Sequence, residues 1–398
     1  MKLSEHAQLS YCTNIHAGES LQQVQANLQQ FSLRVKQAFS PKQPFGLGLR
    51  LSAQAVEELG EAQVMAAFKA FLHAHQLYVF TVNGFPYGQF GADRVKETVY
   101  LPDWQDPKRW RYTQRLAQVL AALMPEDLPY GTLSTLPGGY KPAITDDAAF
   151  AQTFAHHLID IVGDLIQLKL NTHKTIALGL EPEPCCFLET IEEVCTFFQT
   201  HVHSAANIAR LAQKTQLSTA EAHQRVREHL GICLDFCHAA VEFESAEACV
   251  QQLQQADISI VKAQISAGII LDPSDAQAMH DLNRFDEGRY LHQVVERSES
   301  GFRRYSDIPE ARRKSNPATP REWRVHFHVP IYRPHILSLQ TTQAFVKRML
   351  AIQRQTPFTQ HLEVETYTWD VLPQPGKQGL SLCDNIVREL VWSQDHLR

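Results

Sequence analysis

Residues 174–184 read KTIALGLEPEP, an apolar run that ends in two glutamates and two prolines. Successive side chains of a strand point to opposite faces, so Glu181 and Glu183 lie on the same face. The prolines remove two backbone donors, which predicts that the strand ends there. Two carboxylates this close raise each other's pKa unless a cation lies between them. Taken alone, the segment is interpreted more simply as a solvated strand exit.

Seven further segments share the character of this strand and alternate with helical patterns. Near-continuous apolar strands separated by amphipathic helices indicate parallel pairing with both sheet faces covered. Eight such units predict an α/β fold, a (β/α)8 TIM barrel, as a single domain over residues 1–398; a doubly wound open sheet is the alternative. The seven segments are LSYCTNI (9–15), FGLGLRLS (45–52), LYVFTVN (77–83), YGTLST (130–135), GICLDFC (231–237), ISIVKAQIS (258–266) and HLEVETYTW (361–369).

Two long connections interrupt this alternation. Residues 84–104 follow the third strand, and residues 285–335, rich in turn residues, prolines and basic side chains, precede the eighth. Long irregular connections are usually functional or disordered. We therefore expect both excursions to cover the C-terminal rim of the barrel, the end that carries Glu181. The basic excess of residues 303–324 would suit a phosphorylated ligand, although a solvated loop is the simpler interpretation.

The composition and charge of the chain exclude several classes of protein. The 398 residues are 44% hydrophobic and 20% charged, as in ordinary soluble globular proteins. A net charge of −6 argues against a nucleic-acid partner. No apolar stretch reaches the roughly 18 residues of a membrane span, and no secretion signal is visible at the start. Eight cysteines, mostly within apolar runs, suit reduced thiols. These features predict a cytoplasmic protein.

Polar side chains collect where the predicted strands end, which is where the active sites of (β/α)8 barrels lie. Carboxylates and imidazoles that converge on one rim form a ligand set for a divalent ion, namely Zn, Mn, Co or Fe, with Mg suited to a site with few imidazoles. Such a cation would remove the repulsion between the clustered carboxylates. The residues are Asn14, His16, Asn83, Glu181, Glu183, Asp235, His238, Gln264, His326, His328 and Glu365.

Each part of this set also has a structural interpretation. Asp235 would equally serve as a helix cap, and His326 and His328 would equally line a polar strand face. Gln264 is more typical of a hydrogen-bonded core amide. The joint occurrence of these residues, in order around one rim, favours the metal site.

The order of the residues resembles the xylose isomerase-like barrel superfamily, which includes sugar isomerases and epimerases and endonuclease IV-type repair enzymes. In an enzyme at this rim, Glu183, Glu365 or Glu181 would assist proton transfer, and Asn14, His16 and Asn83 would contact the substrate. Glu183 stands where xylose isomerases have lysine, which argues against their hydride shift. Gln264 replaces a usual histidine, and His326 a common aspartate. The implied metal ligands are Glu181, Asp235, His238, Gln264, His326, His328 and Glu365.

A closer resemblance is to the EboE family, described as metabolite traffic proteins. It implies a role in an operon that exports or processes a secondary-metabolite precursor, with other proteins of that operon as partners. The stretches that carry it are YCTNIHAGESLQQV (11–24), NGFPYGQFGADRVKETVYLPDW (83–104), LEPEPCC (180–186), LDFCHAAVEFE (234–244), WRVHFHVPIY (323–332) and ETYTWDVLP (365–373).

Three functions follow from these observations. The first is a metal-dependent isomerase or epimerase-like enzyme for a small metabolite, sugar-like or phosphorylated. The second is a metabolite-binding or carrier protein without turnover. The third is an endonuclease IV-like phosphodiesterase, which the acidic net charge disfavours.

Overall fold

Eight parallel strands, labelled β1 to β8, form a nearly closed barrel in the computed structural model, which describes residues 2–4, 7–88, 90, 95–315, 321–372 and 379–398. Hydrogen bonding runs in the order β1-β8-β7-β6-β5-β4-β3-β2. A parallel bridge between Cys12 and Gly48 joins the outermost two. The predicted (β/α)8 barrel is thereby confirmed. The strands are Ala7–Tyr11, Phe45–Arg50, Leu77–Asn83, Tyr130–Thr135, Thr175–Leu180, Leu230–Asp235, Ser259–Ile265 and His361–Val364.

Helices cover the outside of the barrel and bury their apolar faces against the strands. Many begin at a side-chain cap, and Ser20, Thr190, Ser218 and Ser381 form reciprocal capping boxes. The described α-helices are Leu21–Asn27, Leu33–Phe39, Ala53–Glu58, Ala62–Ala74, Pro107–Leu123, Asp147–Thr172, Ile191–Phe197, Ala205–Thr215, Thr219–His229, Phe236–Val241, Ala246–Gln255, Ala276–Leu282, Ile308–Lys314, Gln343–Gln355 and Leu382–Leu397. Shorter 3-10 or π turns span Thr13–Ile15, Leu28–Ser32, Lys96–Tyr100, Lys141–Ala143, Phe198–Val202 and Asn283–Phe285.

Much of the excursion 285–335 is regular structure rather than the irregular connection expected from its sequence. Its strands pair with a strand that directly follows β7, so an antiparallel sheet stands at the C-terminal end of the barrel. This pairing supplies the backbone hydrogen bonds that a long coil would lack. The sheet runs in the order Gly301–Tyr305, Val294–Ser298, Arg321–Val325, Ile269–Leu271, Leu339–Thr341 and His335–Ile336. A further short strand, Lys2–Ser4, pairs antiparallel with β1.

The barrel interior is polar as well as apolar. Lys262 of β7 and Glu363 of β8 form a fully buried ion pair inside it. A Cβ atom at position 48 would collide with the Glu363 carboxylate, which explains the glycine there. The two charges act in opposite directions on Glu365 at the rim, where Glu363 raises its pKa and Lys262 lowers it.

All eight cysteines are free thiols, and seven of them are buried. Among the described residues, no helix combines the length and the apolar character needed to cross a membrane.

Candidate metal centre

Three carboxylates from three strand ends meet at the C-terminal end of the barrel. Glu181 follows β5, Asp235 ends β6, and Glu365 follows β8. One oxygen of each lies within 4.8 Å of the other two, and all three side chains are buried. The strand register therefore brings together the carboxylates that the sequence predicted to converge.

Two further groups of ligand atoms adjoin these carboxylates. Asp235, His238 and His328 form one group, and Cys237, His326 and His328 form another, each with its ligand atoms within 4.8 Å. Asp235 belongs to the carboxylate group as well as to the first imidazole group. The site is thus one continuous cluster with Asp235 at its centre.

Asp235 directs its two oxygens to different partners. Its Oδ1 accepts hydrogen bonds from the Ser266 hydroxyl at 2.7 Å and from the backbone N–H of His238 at 3.0 Å, which caps the helix Phe236–Val241. Its Oδ2 and the Oε2 of Glu181 have no hydrogen-bond partner among the described residues. A buried polar atom without a partner is costly, so both oxygens favour a cation between them.

The imidazoles of His238 and His328 are oriented as metal ligands usually are. The Nδ1 of His238 lies 2.9 Å from the carbonyl oxygen of Pro182, and the Nδ1 of His328 lies 2.6 Å from that of Glu365. A carbonyl oxygen only accepts, so each Nδ1 donates and each Nε2 carries a lone pair.

The Nε2 atoms of these two rings both face Asp235. His238 Nε2 lies 3.9 Å from Asp235 Oδ1, and His328 Nε2 lies 3.9 Å from Asp235 Oδ2. Both separations are too long for hydrogen bonds. They leave room for a cation bound by oxygen and nitrogen together.

His326 is oriented in the same way, with its Nδ1 donating a hydrogen bond and its Nε2 left to accept. Its Nδ1 lies 2.8 Å from Gln293 Oε1, while the amide nitrogen of Gln293 donates to the Glu183 carboxylate and to the carbonyl oxygen of Pro184. That pattern fixes the amide orientation and makes Nδ1 of His326 the donor. The Nε2 atoms of His326 and His238 then face each other at 3.1 Å as two acceptors. Such a contact needs a proton or a metal cation between or beside them.

The electrostatics of the cluster agree with a cation site. Burial, reinforced by the neighbouring carboxylates, raises the pKa of Glu181 and of Glu365 well above the ordinary range. Burial opposes ionisation of Asp235 as well, but two adjacent imidazoles and its hydrogen bonds hold its pKa below the usual value. Burial lowers the pKa of His328 to about 4 and lowers that of His326 well below its ordinary value. Both shifts favour the neutral form of these two rings, which is the form that binds metal.

Asn14, Asn83 and Gln264 all donate to one oxygen of Glu365. Their amide nitrogens lie 2.7, 3.0 and 3.5 Å from Glu365 Oε1, respectively. Asn14 and Asn83 also line the pocket above the cluster. Gln264 donates to Glu365 through its amide nitrogen, and its Oε1 is buried without a hydrogen-bond partner among the described residues.

The structure does not place His16 in that pocket. Its ring stacks on Phe31 with centroids 4.4 Å apart, and its Nε2 lies 3.1 Å from the Tyr11 hydroxyl. The side chain is buried among these groups. The expected substrate contact of His16 is therefore not supported.

Glu183 lies on the same side as Glu181 and lines the same pocket. Its Oε1 accepts hydrogen bonds from the Tyr100 hydroxyl at 2.7 Å and from the Gln293 amide at 2.9 Å. Its Oε2 has only the weak thiol contact of Cys186, at 3.9 Å. Burial raises the pKa of Glu183. The sequence did not single out Tyr100 or Gln293, because both lie in excursions without a strand pattern.

A pocket of about 540 Å³, part of it open to solvent, lies over the cluster. Both excursions contribute to it, the first through residues such as Phe85 and Tyr100, the second through residues such as Tyr290. Residues 89 and 91–94 of the first excursion and 316–320 of the second lie outside the described residues.

Four of the seven basic residues in the run 303–324 form ion pairs with carboxylates of the same chain. The pairs are Arg304 with Glu242, Lys314 with Glu310, Arg321 with Glu296 and Arg324 with Glu322.

No protein-family model matches the chain, and no curated protein sequence does either. Among solved structures the chain is similar to AsbF of Bacillus anthracis, which is described as a probable 3-DHS dehydratase of petrobactin synthesis. The identity is 14%, with 96% of this chain and 97% of that chain covered and a TM-score of 0.45. For a zinc-bound IOLI protein the identity is 12%, with 98% of each chain covered and a TM-score of 0.47. For an AP endonuclease of family 2 from Brucella melitensis the identity is 15%, with 65% of this chain and 78% of that chain covered and a TM-score of 0.37. These values describe a likeness in fold and carry no argument about activity.

Proposed function

We propose that this protein is a metal-dependent enzyme that moves a proton on a small metabolite, as isomerases and epimerases do. We place it in the EboE family of xylose isomerase-like barrels and treat residues 1–398 as one domain. The observation that carries the proposal is the orientation of three imidazoles. Their Nδ1 atoms are held by acceptors, so three Nε2 lone pairs converge beside unpartnered carboxylate oxygens.

The proposed ligands are Glu181, Asp235, His238, His328 and Glu365, with His326 at the edge of the cluster. Carboxylate oxygens mixed with imidazole nitrogens favour zinc, with Mn, Co or Fe as alternatives, over Mg. These residues would hold a divalent cation, and the chemistry it would supply when bound is polarisation of a carbonyl or hydroxyl oxygen of the substrate.

Glu183 is the proposed general base. Glu365 is less suited to that role, because one of its oxygens already accepts from three amide groups. Tyr100 and Gln293 hold Oε1 of Glu183, which orients the carboxylate while leaving Oε2 with only a weak thiol contact. A carboxylate whose pKa is raised by burial is a more effective base near neutral pH.

The finer biological setting follows from the EboE resemblance. We propose a cytoplasmic protein that handles a secondary-metabolite precursor together with other products of its operon. A carrier without turnover would use the same ligands and the same pocket. A phosphodiesterase acting on nucleic acid is disfavoured by the net charge of −6.

Exchange of a carbon-bound proton with solvent tests the enzymatic proposal. Zinc-loaded protein is incubated in D2O with dihydroxyacetone, lactate or mandelate, and deuterium incorporation is followed by NMR. We expect exchange by the parent and its loss in Glu183→Gln, with zinc content unchanged. Glu244→Gln, a change of a half-buried carboxylate that accepts a hydrogen bond from the backbone N–H of Ile191, should exchange like the parent. Zinc-loaded parent that exchanges none of the three probes would favour the carrier instead.

A further inference from the structure

Three aromatic rings form a wall next to the imidazoles of the site. Phe90, Tyr290 and Tyr367 contact one another pairwise, with ring centroids 5.2 to 5.3 Å apart. The ring of Tyr367 also lies 4.6 Å from that of His328. This wall therefore begins where the proposed ligands end.

The wall belongs to a small apolar cluster of its own. Phe90, Val95 and Tyr290 form its buried part, separate from the main hydrophobic core, with Val99 and Tyr367 packed against it. All five side chains line the pocket. Residues from three distant segments of the chain thus meet to make an aromatic surface whose free side faces the proposed metal site.

The other apolar lining residues extend this surface. Phe85, Pro86 and Leu291 line the same pocket, and the ring of Phe85 packs against that of Tyr100 with centroids 6.1 Å apart. Aromatic faces such as these bind flat apolar groups well.

Two polar groups of the described lining that lie away from the ligand cluster already have partners within the chain. Lys96 pairs with Asp307 at 2.6 Å, and the Tyr290 hydroxyl donates to the carbonyl oxygen of Phe90 at 3.2 Å. A ligand with a hydroxyl on every carbon would give up more hydrogen bonds to water here than these two groups could replace. A sugar is therefore a poor fit to the outer part of the pocket.

We propose that the ligand carries two adjacent oxygens at one end and an apolar, planar body at the other. The oxygens, as in a 2-hydroxy acid or a 2-hydroxy ketone, would face the metal ligands, and a ring would pack against Phe90, Tyr290 and Tyr367. This inference rests on the proposed metal centre and names the substrate class of that site.

Matched probes that differ only in the body of the ligand test this inference. The full-length protein is loaded with Co²⁺, and its visible absorption bands are titrated with lactate, mandelate and xylose. Lactate and mandelate share the same chelating end, and mandelate replaces a methyl group with a phenyl ring. We expect mandelate to bind about 10- to 100-fold more tightly than lactate, since burying the larger apolar group favours binding, and xylose to bind more weakly than mandelate.

Substitutions in the wall test whether it contributes to ligand binding independently of the metal site. Phe90→Ala should bring mandelate down to the affinity of lactate while leaving the Co²⁺ spectrum of the ligand-free protein unchanged. Tyr290→Leu, which keeps an apolar side chain, serves as a second test should Phe90→Ala not fold. Phe302→Ala is the control: it removes an exposed aromatic ring from strand Gly301–Tyr305 of the antiparallel sheet and should keep the preference for mandelate.

The outcomes distinguish the two proposals. Co²⁺ binding with equal affinities for lactate and mandelate, or with xylose the tightest, would overturn the substrate class and leave the metal centre standing. Retention of the preference in folded Phe90→Ala would also overturn the substrate class. Failure of the parent to bind Co²⁺ would overturn the metal centre, and this inference with it.

Discussion

Replacement of Asp235 by asparagine tests the centre of the proposed site while preserving its shape. Asparagine caps helices about as well as aspartate, so the bond from the His238 backbone N–H should remain. The Ser266 hydroxyl can still donate to the amide oxygen. The position of Oδ2, which now has no hydrogen-bond partner among the described residues, becomes an N–H group that cannot bind a cation.

The expected magnitude follows from ligand linkage. Changes to groups that merely support ligands cost about 10- to 100-fold in metal affinity, so removing a direct ligand should cost at least ~100-fold. At saturating metal this corresponds to about 2.7 kcal/mol less stabilisation against unfolding. The metal-free variant should be as stable as the metal-free parent or more so, because the repulsion of Asp235 with Glu181 and Glu365 is relieved.

Urea unfolding with Zn²⁺ and with EDTA provides the assay. The parent should lose stability on chelation, and the loss for Asp235→Asn should be smaller by about 2.7 kcal/mol or more. Asp146→Asn is a matched control, because Asp146 also caps a helix, accepting from the backbone N–H of Ala149 at 3.0 Å at an exposed position. Equal stabilisation of parent and Asp235→Asn by zinc, or no effect of chelation on the parent, would refute the reasoning.

Three other perturbations test the surroundings of the site. Tyr100→Phe removes the 2.7 Å hydrogen bond to Glu183 and should lower the free energy of unfolding by about 1–2 kcal/mol without changing metal content. Lys262→Met leaves Glu363 as an uncompensated buried charge and should cost about 3–5 kcal/mol in urea unfolding, most of it recovered by adding Glu363→Leu. Burial raises the pKa of Glu389 to about 7 from an ordinary value of 4.5, so the unfolded chain releases this proton first as the pH rises. The parent should therefore lose about 1–3 kcal/mol of unfolding free energy relative to Glu389→Gln between about pH 4.5 and 7.5, and equal pH profiles would contradict this.

Most of the structural features that could be predicted from the sequence belong to the regular strands. The apolar run at 174–181 was expected to be a strand, and β5 spans Thr175–Leu180. Strand alternation and the C-terminal ends of parallel strands then place Glu181 at the rim without further information. Both the barrel and the meeting of three carboxylates follow from local patterns repeated eight times.

The parts that the sequence did not reveal depend on long-range contacts outside the strands. Tyr100 reaches Glu183, and Gln293 joins both of them, across gaps of 83, 193 and 110 residues. No local period signals such contacts. His16 was expected at the rim because it follows β1, but a 3-10 turn over Thr13–Ile15 directs it onto Phe31.

The metal content of the full-length protein, purified without chelator and measured by inductively coupled plasma mass spectrometry, tests the central claim most directly. The account predicts about one or more equivalents of a transition metal, zinc foremost, and a large loss of that metal in Glu181→Gln with the barrel still folded. Retention of metal by Glu181→Gln at the level of the parent would contradict the account. A parent that carries no metal and takes up none on addition of Zn²⁺ or Co²⁺ would contradict it as well.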